Sequence, residues 1–414
     1  MTPQHPLSDQ VNGPWLRNAG HLAWLRHDAQ KQLDFFRNSL RPDGGFDTLN
    51  WDGTAQPRPA QELHTTTRLI HSYALGHAFG DANAAQIIDA GMAFLWARHR
   101  DETHGGYAWS AGETGIVDGQ KLAYGHVFVL LAAASAKQAD HPDADRLLRD
   151  ISNVLDTRFW DEKRGLFKEE YHANWTAFSK YRGMNANMHG VEAMLAAFEA
   201  TQDPLYLTRA GRILDFFVGQ IAPAHGWRIP EHYTEDWQVD PDYAGNPMFR
   251  PAGSTPGHSF ELGRLLIQHW DLSGRPVSGA VAQARLLIER AYDDAWLPSG
   301  GFCYTLDLEG HPDVTDRFWW PVTEAIGALA VLLTIDPTAA DEERYRAVWT
   351  FAYKHLIDRD LGGWYPELDD SGAPTQGQFV GKPDIYHSLQ AALIPLAATP
   401  SGTLGRIAQA TKED

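Results

Sequence analysis

Apolar residues recur at intervals of three and four through twelve segments of this chain, the spacing that gathers them on one side of an α-helix. Two kinds of segment alternate. The first kind is amphipathic and covers approximately residues 23–40, 84–99, 142–157, 205–221, 278–293 and 341–357, as in the stripe formed by Ile87, Ile88, Met92, Phe94 and Leu95. The second kind begins near Thr65, Tyr124, Asn185, Thr255, Trp320 and Asp384, and is apolar nearly all round, as in Val127-Phe128-Val129-Leu130-Leu131-Ala132-Ala133. A helix with one wet face belongs on the outside of a fold, and a helix without one belongs inside.

Glycine-rich turns bearing an aromatic residue separate these segments: Asp43-Gly44-Gly45-Phe46, His104-Gly105-Gly106-Tyr107, Arg164-Gly165-Leu166-Phe167, His225-Gly226-Trp227, Gly300-Gly301-Phe302 and Gly362-Gly363-Trp364. They recur about every 60 residues, stretching to about 75 once, a period that signals a repeat architecture. Six outer helices alternating with six inner ones predict an all-α toroid of helical hairpins, a single (α/α)6 barrel, with residues 1–414 as one catalytic domain. The stretch from Pro230 to Gly253 has no helical period and is expected to be a long loop before the fourth inner helix, of the length that lids and binding loops have.

Composition narrows the function. With 43% hydrophobic and 21% charged residues the chain can bury a large core. Its 35 basic against 53 acidic residues give a net charge of -18, which argues against nucleic acid or an anionic membrane and favours a neutral small molecule as partner. The one cysteine, Cys303, allows neither an intrachain disulfide nor a cysteine zinc cluster, and suggests a reducing cytoplasm. Met1 to Trp24 has no basic region followed by an apolar one, and the apolar stretch from His126 to Ala136 is too short to span a bilayer. No Walker glycine loop, dinucleotide fingerprint or GxSxG elbow is present, which speaks against phosphoryl, hydride and acyl transfer.

Polar residues stand at the starts of the inner segments, where a purely structural buried helix would not want them. Thr65 precedes Arg68 by three residues, Thr255 precedes His258 by three with Pro256 between them, and Asp384 precedes His387 by three, a pattern of cap followed by first-turn residue. His126, His189 and Glu324 occupy similar positions on the other inner segments. Parallel inner helices bring all six residues to one end of the barrel as a ring, the candidate active site.

A first-turn histidine sits at the positive end of the helix dipole, which favours the neutral imidazole, so His258 and His387 are the candidate general bases. Glu261, three residues after His258, is placed to hold one ring nitrogen of that histidine, and Glu324 to do the same for His387 across the ring. A lone first-turn histidine is ordinarily structural, but several at equivalent repeat positions beside an arginine point to chemistry. Tyr124 and Trp320 are the aromatics placed in the ring, where a sugar can stack. With no HExxH or comparable short ligand spacing, no metal and no cofactor are expected.

Four ordered motifs are similar to those of the N-acylglucosamine 2-epimerase superfamily, in particular its branch of bacterial mannose and sulfoquinovose isomerases. They are Tyr181-Arg182-Gly183-Met184-Asn185-Ala186-Asn187-Met188-His189, Thr255-Pro256-Gly257-His258 with Glu261, Trp320-Pro321-Val322-Thr323-Glu324-Ala325, and Asp384-Ile385-Tyr386-His387. The resemblance covers nearly the whole chain. It implies that His258 and His387 are acid/base groups, and that Arg68, Tyr124, Asn185, His189, Glu261 and Trp320, joined by Glu324, hold the sugar.

The reaction it implies opens an aldose ring, removes the C2 proton to give a cis-enediol, and returns the proton to C1 for a ketose or to C2 for an epimer. In this scheme His387 moves the C2 proton, His258 assists ring opening and the oxygen protons, and Arg68 and His189 stabilise the enediolate. The expected reaction is D-mannose to D-fructose, with D-lyxose to D-xylulose beside it. Alternatives are a 2-epimerase acting on mannose, glucose or N-acylglucosamine, and a sulfoquinovose isomerase. Lys382-Pro383-Asp384 stands here in place of the Lys-Gln-Asp associated with the sulfoquinovose enzymes, and Pro383 offers no amide. A monomer or homodimer is implied. An inverting glycosidase on the same barrel would need paired carboxylates about 6.5–9.5 Å apart, and the ring is dominated by histidines. A non-catalytic sugar-binding protein would have no need of two bases.

Overall fold

The side chains of Asn18, Asp203 and Thr338 each accept a backbone N–H at the start of a helix. The computed structural model describes residues 13–56, 60–245 and 250–413. Its first three hairpins are α1 (Ala19–Phe36) with α2 (Leu63–Phe79), α3 (Ala84–Phe94) with α4 (Ala123–Gln138), and α5 (Ala144–Val154) with α6 (Met184–Thr201). Next come α7 (Pro204–Leu214), a one-turn helix α8 (Ala222–Ala224) and α9 (Pro256–Leu272). The pairs α10 (Ala280–Ala295) with α11 (Trp319–Ile335) and α12 (Ala339–Phe351) with α13 (Tyr386–Ala397) follow, and α14 (Thr403–Glu413) ends the chain. Helix α1 begins four residues before its sequence-predicted start because the Asn18 side chain accepts a bond from the His21 N–H and caps it there.

Helices α2, α4, α6, α9, α11 and α13 pack each against the next, and α13 closes the ring on α2. Five outer helices lean on the inner helix before them in the chain, α3 on α2, α5 on α4, α7 on α6, α10 on α9 and α12 on α11, and the first outer helix, α1, closes against the last inner one, α13. This is the (α/α)6 barrel. Helix α14 lies across α2 and α13. Four outer helices, α3, α5, α7 and α12, widen into π-helical turns at Leu95–His99, Leu155–Phe159, Asp215–Ile221 and Ala352–Leu356 before the glycine turns. No helix among the described residues is long and apolar enough to cross a membrane.

The glycine turns are fastened to the outward faces of the inner helices. In the second hairpin Gly106 takes φ +71°, a conformation open to glycine, and the Tyr107 N–H that follows donates to His126 Nε2 at 3.0 Å. The other ring nitrogen of His126 donates to the Leu122 carbonyl at 2.8 Å. The same clamp recurs where the Phe167 N–H donates to Asn187 Oδ1 at 2.8 Å, and in the first hairpin Gln61, two residues before α2, takes the Phe46 N–H on its Oε1 at 2.7 Å. His126 therefore does not join the ring expected from sequence. It lies two positions beyond the axis-facing Tyr124, about 200° round the helix, and points away from the axis. Two buried lysines tie turns in a similar way, Lys121 to Asp101 and Lys382 to Asp358, both at 2.7 Å.

The stretch from Pro230 to Gly253 is folded onto the barrel rim. His232–Tyr233 pairs antiparallel with Arg182–Gly183, and Trp237 is buried. Residues 246–249 of the predicted loop lie outside the described residues.

His126→Ala leaves the buried Tyr107 N–H without an acceptor and lowers stability by about 1–3 kcal/mol. The denaturant midpoint should fall at an unchanged m-value, and His126→Asn, which copies the clamp of the next repeat, should recover part of the loss. A midpoint that stays put in His126→Ala would contradict the structural role.

Candidate active site

The inner helices place their chemistry by register. The second residues of the six helices are His64, Tyr124, Asn185, Gly257, Trp320 and His387. The sixth residues are Arg68, Phe128, His189, Glu261, Glu324 and Ala391, and the ninth are His71, Leu131, Glu192, Arg264, Gly327 and Ile394. Positions i, i+4 and i+7 share one helix face, so these residues form three tiers down the axis, the first two about 6 Å apart. Tyr124, Asn185 and Trp320 are half-buried at the mouth, whereas His189, Glu261, Glu324, Glu192 and Arg264 are buried below.

The expected ring is thus deeper than the sequence suggested. Thr65 is not a cap, since α2 begins at Leu63 after Glu62, and Arg68 falls in the second turn. His189 and Glu324 lie equally deep in their own helices, which leaves His258 and His387 in the first turn. Thr255 and Pro256 do open α9 as predicted, and Asp384 Oδ1 accepts from the Tyr386 N–H at 3.0 Å at the start of α13.

Both candidate bases lie against Trp320, their ring centres 5.0 Å (His258) and 5.9 Å (His387) from its own. Gly257 makes room for that indole, because a Cβ there would come within 2.2 Å of it. His387 Nδ1 is 2.8 Å from Glu324 Oε1, the partner expected from sequence, and Arg264 holds Glu324 Oε2 at 3.1 Å. A carboxylate can only accept, so Nδ1 carries the hydrogen and Nε2 of the neutral ring keeps its lone pair. Burial lowers the proton affinity of His387 below the ordinary histidine value, and the Glu324 hydrogen bond partly opposes this.

The partner of His258 differs from the expectation. Its Nδ1 meets Glu231 Oε1 at 2.9 Å. Glu231 comes from the loop before α9, and its backbone is pinned by Met184 N–H to Glu231 carbonyl and Glu231 N–H to Gly253 carbonyl bonds, both 3.0 Å. Glu261 lies one turn deeper than a partner of His258 would. Its Oε1 is 3.5 Å from His189 Nδ1 and 3.7 Å from Arg264, and neither carboxylate oxygen has a hydrogen bond among the described residues. Burial, with Glu324 and Glu192 nearby, raises its pKa well above the ordinary carboxylate value.

Arg68 is held between the two inner helices that flank its own. It donates to Tyr124 Oη at 2.8 Å and stacks 4.6 Å from the rings of both Phe128 and Tyr386. His189 lies 5.5 Å from Tyr124 and 4.6 Å from Phe128, and burial lowers its pKa to about 4, so it is neutral. The Asn185 Oδ1 is buried without a partner among the described residues, an acceptor left over for a ligand. The structure therefore brings together His258, His387, Arg68, His189, Glu261, Tyr124, Asn185, Trp320 and Glu324.

Residues to which the sequence assigns no role are Glu231, Glu192, Arg264, Tyr386 and His64. Glu192 accepts from the Tyr386 hydroxyl and faces His189 Nδ1 at 3.4 Å, and His64 stacks on Trp109 with centres 5.3 Å apart. Glu192 and Arg264 were open to discovery as charges within otherwise apolar helices. The i,i+3 pair of His189 and Glu192 is also a short ligand spacing that sequence reading passed over, and with Glu261 it forms a buried group whose ligand atoms lie within 4.8 Å of one another.

Comparison with known proteins finds chains similar to this one over nearly its whole length. A D-mannose isomerase of Thermobifida fusca is 41% identical over 95% of this chain and 99% of its own length. A D-mannose isomerase of Pseudomonas cannabina pv. alisalensis is 36% identical over 92% of this chain and 94% of its own. A crystal structure of a D-mannose isomerase superposes with a TM-score of 0.85 at 31% identity, covering 90% of this chain and 97% of the other. A cellobiose 2-epimerase from Bacillus thermoamylovorans shares the fold, with a TM-score of 0.81 at 17% identity over 91% of this chain and 98% of its own. The family profile of N-acylglucosamine 2-epimerase matches residues 44–391, and the chain belongs to that family.

Proposed function

We propose that this chain is an aldose–ketose isomerase that interconverts D-mannose and D-fructose through a cis-enediol, with D-lyxose and D-xylulose as a second pair and the whole chain acting as one catalytic domain. The observation that carries the reading is the pair of imidazoles against one indole, each with Nδ1 held by a carboxylate. The D-mannose isomerases to which the chain is similar support the choice of sugar. The lone buried Cys303 favours the cytoplasm as its setting.

Ring opening moves the O1 proton to the ring oxygen as the C1–O5 bond breaks, a transfer assigned to His258. His387 Nε2 then takes the C2 proton, and the electron pair left behind forms the C1–C2 double bond while the C1 oxygen gains charge. Arg68 and His189 stabilise that charge. His258 relays the O2 proton to the C1 oxygen, and as His387 returns its proton to C1 of the cis-enediol the C2–O2 bond becomes the ketose carbonyl, with no net gain or loss of atoms. Lys382, which a sulfonated substrate would call on, is consumed by Asp358 and the Gly362 carbonyl, and this favours a neutral sugar.

The direct test follows chelator-treated protein with mannose in deuterated water by NMR. Fructose should appear, and His387→Ala should lose about 10²- to 10⁴-fold in kcat while still binding the sugar. A C2 epimer in place of fructose would move the assignment to an epimerase, and no product at all would sink it.

The acid limb of the kcat/KM profile should lie below the ordinary histidine value of 6.5, because His387 must be unprotonated and burial lowers its pKa. Glu324 is the group that raises it, so Glu324→Gln should move the limb to still lower pH while reducing kcat. A limb that moves upward contradicts the pairing.

Glu231→Gln should lower kcat on the order of 10²-fold or more, as when a carboxylate that orients a catalytic imidazole is replaced by its amide, with little change in the thermal midpoint. A Glu231→Gln enzyme of normal kcat would return the role to Glu261.

A further inference from the structure

We propose that His189, Glu192 and Glu261 form an inhibitory binding site for a divalent transition-metal ion such as zinc. His189 and Glu192 stand three apart on α6, so both side chains leave one face of that helix, and Glu261 reaches them from α9. His189 Nδ1 is 3.4 Å from Glu192 Oε2 and 3.5 Å from Glu261 Oε1. Bonds of about 2.0–2.2 Å to nitrogen and oxygen around a tetrahedral ion put neighbouring ligand atoms about 3.3–3.5 Å apart; these two distances match, and all three ligand atoms lie within 4.8 Å of one another.

A second observation points to a ligand. Glu261 is 1% exposed, yet both its carboxylate oxygens lack a hydrogen-bond partner among the described residues. Arg264 does not supply one, because Glu324 holds it at 3.1 Å and leaves it 3.7 Å from Glu261. Two carboxylates and an imidazole are a donor set suited to zinc and its neighbours in the first transition row. An ion there binds His189, a group that the proposed reaction uses to stabilise the enediolate, so it inhibits and a chelator reverses it. Inhibition rests on the isomerase reading; occupation of the site does not.

The test titrates zinc into the chelator-treated full chain by calorimetry and locates it by anomalous diffraction at the zinc edge. One ion bonded to His189 and both carboxylates, with affinity falling at least tenfold in Glu192→Gln and in Glu261→Gln, is the expected result. Zinc should also slow mannose turnover, and a chelator should restore it. An anomalous peak elsewhere, affinity unchanged in both variants, or no binding at millimolar zinc overturns the site. Bound zinc that leaves mannose turnover unchanged overturns inhibition. Thermal melts show whether the variants fold, and diffraction from the wild-type protein decides the site without them. A chain that binds zinc here but never turns over mannose would sink the isomerase reading and leave the metal site standing.

Discussion

Six helices meet along an axis from which water is largely excluded, so a charge set there must find its counter-charge on a neighbouring helix. That constraint orders the interior. Arg264 on α9 answers Glu324 on α11, which in turn holds His387 on α13. Glu192 on α6 takes the Tyr386 hydroxyl of α13, and Arg68 on α2 takes Tyr124 of α4. Each link joins two helices, and together they cross the barrel in several directions. Glu261 is the group without a full share of this pairing, and its raised proton affinity is the physical result.

The repeat does two jobs with one helix, and helical geometry keeps them apart. Residues two, six and nine of an inner helix face the axis, and in α4 and α6 the fourth faces the glycine turn of its own hairpin. His126 and Asn187 occupy that fourth place and hold backbone N–H groups at 3.0 and 2.8 Å. A substitution at the second, sixth or ninth place alters the chemistry and leaves the clamp intact. That separation lets one barrel carry a polar axis without loosening its hairpins.

What could be read from sequence follows the range of the interaction involved. Helical periodicity and glycine turns are local, so the barrel and the approximate start of every inner helix were legible. The pairing of Glu324 with His387 was legible too, since parallel helices bring equivalent ends together. His126 was misplaced by a shift of two residues, which a pattern of caps cannot resolve but which turns a side chain from axis to rim. Glu261 was given to His258 because they are three apart on one helix; in the fold it lies a turn deeper, against His189. Glu231 carries no local signal, because its place depends on a loop folding back on the start of α6.

The two imidazoles are therefore held in different ways. The partner of His387 stands on a barrel helix and is locked by Arg264, whereas that of His258 is delivered by a loop pinned at Met184 and Gly253. Trp320 lies against both, one surface shared by the two rings, and Gly257 permits that surface to approach. On the proposed reaction, abstraction at C2 belongs to the rigid half and the oxygen protons to the half held by the loop. Changes in the loop would then alter how the sugar opens and turns without disturbing the base. This division provides a physical route by which one barrel can support different fates for the same enediol.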